Sequence, residues 1–142
     1  ALLLDTLAQG HDLGVGSRMA GAREPGALPA HSVFGNWLVS TLINLSAGTR
    51  YTDLGPFRAV RYEKLMALGM KDPDYGWTVE MALRAAHAGW RVAEVPVRYR
   101  PRGGGRSKIT GSLSASIKTA IKMFRVLFRL HRRLRTERRA LR

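Results

Sequence analysis

Between Glu94 and Lys108 the sequence reads Glu-Val-Pro-Val-Arg-Tyr-Arg-Pro-Arg-Gly-Gly-Gly-Arg-Ser-Lys. Four arginines, three consecutive glycines, a serine and a lysine follow an alternating apolar run, Ala93, Val95, Val97, Tyr99. That run has the period of a strand. Glycine lets backbone N–H groups approach a ligand closely, and the guanidinium fork matches phosphate oxygens two at a time. A basic, Gly-rich loop hung on a rigid strand is what closing over a phosphorylated ligand needs. The plain alternative is a solvated basic turn.

Two further positions could do chemistry. Asp12 to Gly16 reads as a short strand leading into Ser17 and Arg18, which puts an arginine at a strand's C-terminal edge, where open α/β sheets bind ligands. A surface arginine is the alternative. Glu80 falls in the first turn of a helix expected over Thr78 to Ala88, with Thr78 as N-cap, Met81, Leu83, Ala85 and Ala88 toward the core, and Gly89 as the stop. A carboxylate there suits the helix dipole; it also suits a group aimed at a cleft and able to accept a proton. Asp72-Pro73-Asp74 has the Asp-x-Asp spacing of a cation site. It sits between two helices rather than after an apolar strand, so it reads as a turn.

The elements that must position these residues follow from periodicity. Leu2 to Gln9 reads as a helix stopped by Gly10. Met19 to Ser32 is rich in Gly, Ala and Pro and reads as a mobile loop. Val33 to Ser46 is apolar on nearly every side, which predicts a helix buried all round or set against lipid, ended by Gly48. It is shorter than the ~20 apolar residues that span a bilayer. Tyr51 to Arg61 reads as a turn and a short strand, and Tyr62 to Leu68 as a short helix closed by Gly69.

The chain has 142 residues, 45% of them hydrophobic, enough to bury one core and to exclude wholesale disorder. It has no cysteine, which removes disulfides and thiolate metal sites and fits a reducing compartment. It opens inside a helix-like run without a basic leader, which reads as a piece of something longer rather than a signal peptide. The net charge of +14 is unevenly placed: residues 1–97 hold nine basic and nine acidic side chains, whereas residues 98–142 hold fifteen basic ones and a single acid, Glu137. From Ile109 to Leu130 a long helix is expected, with Lys118, Lys122, Arg125, Arg129 and Arg132 forming one cationic stripe and Leu113, Ile117, Ile121, Phe124, Leu127 and Phe128 on other faces. Such a helix docks on its own core or lies in a membrane interface. The basic tail adds roughly 1 kcal/mol per cation near an anionic leaflet.

Taken in order, the motifs resemble the C-terminal half of a family-2 inverting glycosyltransferase of the dolichol-phosphate (polyprenyl-phosphate) mannosyltransferase branch. The matching residues are Gly16-Ser17-Arg18, Phe34-Gly35-Asn36, Asp53-Leu54-Gly55-Pro56-Phe57-Arg58-Ala59, Tyr75-Gly76-Trp77-Thr78-Val79-Glu80, Glu94-Val95-Pro96-Val97, and Arg102 with Gly105-Arg106-Ser107-Lys108. The resemblance implies an α/β, Rossmann-like domain with a mostly parallel sheet. Residues 1–109 would be the C-terminal half of that domain and residues 110–142 an amphipathic basic helix and tail. It implies transfer of a sugar from a nucleotide-sugar donor, with inversion, to a polyprenyl phosphate or other membrane-linked acceptor. Arg18 would contact phosphate, Arg102, Ser107 and Lys108 would lie on the loop closing over the diphosphate, and Glu80 would stand on the acceptor side as the catalytic carboxylate, orienting an acceptor that is already ionised.

The resemblance also implies Mg²⁺ or Mn²⁺ in the intact enzyme, held by residues upstream of this chain, so that the chain alone is expected to be inactive. Residues 110–142 would meet an anionic membrane surface, placing the protein in the cytoplasm at the inner face of the cell membrane, with no specific nucleic acid as partner. One departure bears on the acceptor: where lipid-phosphate transferases carry basic residues before the Gly-Asn element, Leu28 to Val33 offers only His31 and Ser32 as polar groups. The competing class is a nucleic-acid-binding or partner-docking module built on the C-terminal helix, whose charge suffices but which lacks a recognisable reading motif.

Overall fold

The computed structural model describes residues 2–74, 76–101, 103–104 and 113–140, and in the last helix the side chains of 117–133 and 136. The elements run α1 (Leu2–Ala8), β1 (Leu13–Ser17), α2 (Ala30–Ala47), β2 (Arg58–Val60), α3 (Tyr62–Ala67), α4 (Trp77–His87), β3 (Val92–Pro96) and α5 (Leu113–Ala140). The α/β class is as expected. The sheet among the described residues is mixed rather than mostly parallel: its order is β2-β1-β3, with β1 parallel to β3 from Leu13↔Val92 to Ser17↔Pro96 and antiparallel to β2 through Leu13↔Val60. The reason lies in the loop before β2. Ser17 and Arg18 hold residues 52 and 53 beside the C-terminal end of β1, and Gly16 N donates to Phe57 O. The chain thus enters β2 at that end and must run back.

The core forms where α4 packs between the sheet and two helices. Val79, Met81, Ala82, Leu83 and Ala85 of α4 are fully buried with Leu13 and Val15 of β1, Val39 and Ile43 of α2, and Leu127 and Leu130 of α5. Ala88 lies outside this set and is exposed, because the helix has already ended there. Helix α2 is buried on one face only. Phe34 is 60%, Trp37 57% and Leu45 80% exposed, since α4 and α5 cover a single side of it; the expectation of burial all round fails for this reason.

The N-cap of α4 is Gly76, not Thr78. No side chain caps α4; Asp72 instead closes the turn before it, its Oδ1 accepting from Asp74 N and Gly76 N, both at 3.0 Å. A Cβ at residue 76 would stand 2.5 Å from that carboxylate, which explains the glycine. Lys122 of α5 reaches the same turn and pairs with Asp72 and Asp74. The Asp-x-Asp spacing therefore serves a turn, as expected, and an interhelical contact. The segment from Met19 to Ser32, read as a mobile loop, is tied down in part: Glu24 N donates to Tyr99 O and Tyr99 N to Ala22 O.

Candidate functional site

Arg18 follows β1 directly, and its position is fixed by Asp53. Asp53 Oδ2 accepts from Arg18 N at 2.7 Å and Arg18 Nε at 2.8 Å, and Oδ1 accepts from Nη2 at 2.7 Å. The Asp53 side chain is fully buried and that of Arg18 nearly so, at 17% exposure. The hydrogen bond to Asp53 raises the Arg18 pKa above its ordinary value, against the opposing effect of burial. The ring of Tyr99, just beyond β3, lies under the guanidinium with its centroid 5.5 Å away. Arg18 is thus a permanently charged fork held between a carboxylate and an aromatic face.

The loop carrying Asp53 is gripped by two elements. On α2, Asn36 Nδ2 donates to Thr52 O at 3.0 Å and its Oδ1 accepts from Leu54 N at 2.9 Å. Asn44 does the same for Tyr51, donating to its O and accepting from its N, both at 2.8 Å. From β3, Glu94 accepts Thr52 N at 2.8 Å, Thr52 Oγ1 at 2.5 Å and Asp53 N at 3.2 Å. Ser17 Oγ and Thr52 Oγ1 are 2.8 Å apart.

A second arginine sits behind this loop. Arg58 Nε donates to Gly55 O at 2.9 Å and Nη1 to Thr78 O at 3.1 Å. Its Nη2 and the Thr78 hydroxyl are buried with no hydrogen-bond partner among the described residues. Burial pulls the Arg58 pKa down to about 10, and pushes that of Tyr51 up to about 12.

Glu80 lies in the first turn of α4. Its carboxylate is buried and accepts from Lys71 N at 3.0 Å, Asp72 N at 2.7 Å and Arg84 Nε at 2.8 Å. Burial raises its pKa, but the Asp72 and Lys71 N–H groups and the Arg84 guanidinium outweigh that and leave it below the ordinary value. Among the described residues it shares no hydrogen-bonding partner with Arg18. Arg102, Ser107 and Lys108 lie outside the described residues. The neighbouring Arg98 and Arg100 both reach Glu24 Oε1 at 3.2 Å and are 64% exposed.

The sequence reading singled out Arg18 but gave no role to Asp53, Asn36, Asn44 or Glu94. A usable signal was present in α2, where two asparagines interrupt an otherwise apolar helix: buried or half-buried amides need partners. Among the described residues no group of three or more His, Asp or Glu side chains is arranged to hold a metal ion; the resemblance places the ligands of its divalent cation upstream of this chain. No helix among them is long and apolar enough to cross a membrane.

No protein-family profile matches the chain, and no solved structure matches it significantly. An uncharacterized glycosyltransferase of Mycobacterium tuberculosis is 38% identical over 127 residues, covering 88% of this chain and 56% of that protein. Glycosyltransferase AglJ of Haloferax volcanii is 31% identical over 104 residues, 72% of this chain and 34% of that protein. An undecaprenyl-phosphate mannosyltransferase of Micrococcus luteus is 30% identical over 106 residues, 72% of this chain and 44% of that protein. The chain spans about half the length, or less, of these curated relatives. Over most of its own length, then, this chain is a homologue of proteins named glycosyltransferases.

Proposed function

We propose that the chain is the C-terminal half of a family-2 type hexosyltransferase that moves a sugar from a nucleotide-sugar to a polyprenyl phosphate, with inversion at the anomeric carbon. The observation that carries this is the Arg18 fork, held by Asp53 at the C-terminal end of β1 in a chain similar to glycosyltransferases. In the reaction an acceptor phosphate oxygen attacks the anomeric carbon as the bond to the nucleoside diphosphate breaks. Both reactants present phosphate oxygens, and a pre-aimed guanidinium stabilises negative charge there without reorganising. The acceptor is already ionised at neutral pH, so the step does not need a strong base. The hydrogen bonds of Glu80 favour a role in holding the Lys71–Asp72 backbone over proton transfer. Arg102, Ser107 and Lys108 complete the phosphate-binding loop in this reading. A divalent cation, Mg²⁺ or Mn²⁺, would be held by residues upstream of Ala1, and the chain alone would be inactive.

The polyprenyl acceptor is favoured by the name of the Micrococcus luteus relative. It accords with the outer face of α5, where Ile117, Ile121 and Phe128 are exposed beside Arg125, Arg129 and Arg132. An apolar stripe edged by cations suits an anionic membrane surface, at the cytoplasmic face in this reading. The relatives' names do not favour a nucleic-acid-binding module. The test is an assay of the chain joined to its upstream coding sequence, with a panel of nucleotide-sugars, Mg²⁺ or Mn²⁺, and polyprenyl phosphate in vesicles. Mass spectrometry should find a glycosylated polyprenyl phosphate. Silence across the panel, with salt-sensitive DNA binding instead, would sink the proposal.

A further inference from the structure

Residues 51–54 form neither helix nor strand, yet their backbone is engaged almost atom by atom. Tyr51 N and O meet Asn44, Thr52 O and Leu54 N meet Asn36, and Thr52 N and Asp53 N meet Glu94. The partners come from two separate elements, α2 and β3. A backbone satisfied in this way is held by residues remote in sequence, not by its own turn preference. At its centre Asp53, 0% exposed, grips Arg18 through both carboxylate oxygens.

We infer that Asn36, Asn44 and Glu94 are positioning residues that hold the 51–54 loop as a rigid backing and thereby set the direction of the Arg18 guanidinium through Asp53. The inference rests on the phosphate role proposed for Arg18. An arginine backed only by solvent loses rotamer freedom when it meets an anion; one already locked loses little, and meets the ligand in alignment. Glu94 aims its charge at two N–H groups and a hydroxyl of the loop. Glu94→Gln keeps the size but replaces one accepting oxygen with a donor facing those donors. Asn36→Ala removes both of its loop contacts at once.

The readout is the ¹⁵N-resolved Nε–H resonance of Arg18 in the full 142-residue chain, assigned by its loss in Arg18→Lys. In the wild type this proton should exchange slowly with water. Glu94→Gln and Asn36→Ala should each speed its exchange about tenfold or more while circular dichroism stays unchanged. Ser46→Ala, also on α2 but donating to Ile43 O, should leave it unaltered. If a variant fails to fold, Thr52→Val decides: this exposed residue links Ser17 to Glu94, and its loss should also speed exchange. Unchanged Arg18 exchange in folded variants overturns the inference. Added inorganic pyrophosphate separates the two layers: a wild-type Arg18 resonance that does not move with pyrophosphate counts against the phosphate role, whereas exchange that ignores the substitutions counts against the clamp.

Discussion

Asp53 and Arg18 are joined by three hydrogen bonds of 2.7 to 2.8 Å, one to the backbone N–H and two to the guanidinium. The carboxylate is fully buried, so removing it leaves a charge in a site built for a pair. Asp53→Ala should cost roughly 3–5 kcal/mol of stability, the range for stranding one partner of a buried pair. Urea unfolding followed by circular dichroism measures it. A loss under about 1 kcal/mol, the scale of exposed pairs, would mean the pair is effectively solvated.

The acid limb of stability should depend on Glu80. Against the opposing effect of burial, the Asp72 and Lys71 N–H groups and the Arg84 guanidinium hold its pKa in the folded chain below the ordinary carboxylate value. A depressed carboxylate contributes stability that is complete above the unfolded value and is lost as pH falls through the folded one. Glu80→Gln should therefore be less stable than wild type at neutral pH, and the gap should narrow as pH drops below about 4.5, toward the folded value. Urea midpoints across a pH series give the answer; a gap independent of pH would show that packing, not charge, makes the difference.

Two glycines should respond oppositely to alanine. A Cβ at Gly21 would stand 2.1 Å from Val97 O and 2.7 Å from Val97 N, both backbone atoms. Gly21→Ala should destabilise by about 1–3 kcal/mol, as forced overpacking does. At Gly35, inside α2, a Cβ meets no atom within 4 Å. Gly35→Ala should stabilise by about 0.5–1 kcal/mol through helix propensity. Thermal denaturation of the two variants side by side tests both signs.

If the outer face of α5 meets an anionic membrane, Phe128→Asp should weaken sedimentation with anionic vesicles while leaving the fold intact, because Phe128 is 59% exposed. Neutral vesicles should bind weakly in either case, and added salt should release the wild type. Equal binding by Phe128→Asp would move the contact away from this face.

The elements were legible in the sequence where local signals are strong. Gly48 ends α2 with φ of 68° and Gly89 follows α4 with φ of 69°, as their positions just after apolar runs predict. The period-2 run placed β3, and Gly-Ser-Arg placed Arg18 at a strand end. The direction of β2 was not legible, because it is set by contacts of Ser17 and Arg18 with residues 52 and 53, thirty-five positions away. The same holds for the role of Glu94, whose partners at 52 and 53 are forty-two and forty-one positions distant. Trp37 and Leu45 look like core in a helix read alone, yet both stay exposed, because among the described residues the helices packed on α2 leave them uncovered.

The central claim is that Arg18 meets a phosphate in a sugar transfer. Its most direct test is the release of nucleoside diphosphate by the chain joined to its upstream sequence, comparing wild type with Arg18→Ala. Loss of a pre-aimed charged donor should lower kcat/KM by about 100-fold or more, with the Asp53 loop still ordered by Asn36 and Glu94. Unchanged turnover in a folded Arg18→Ala protein would contradict the account.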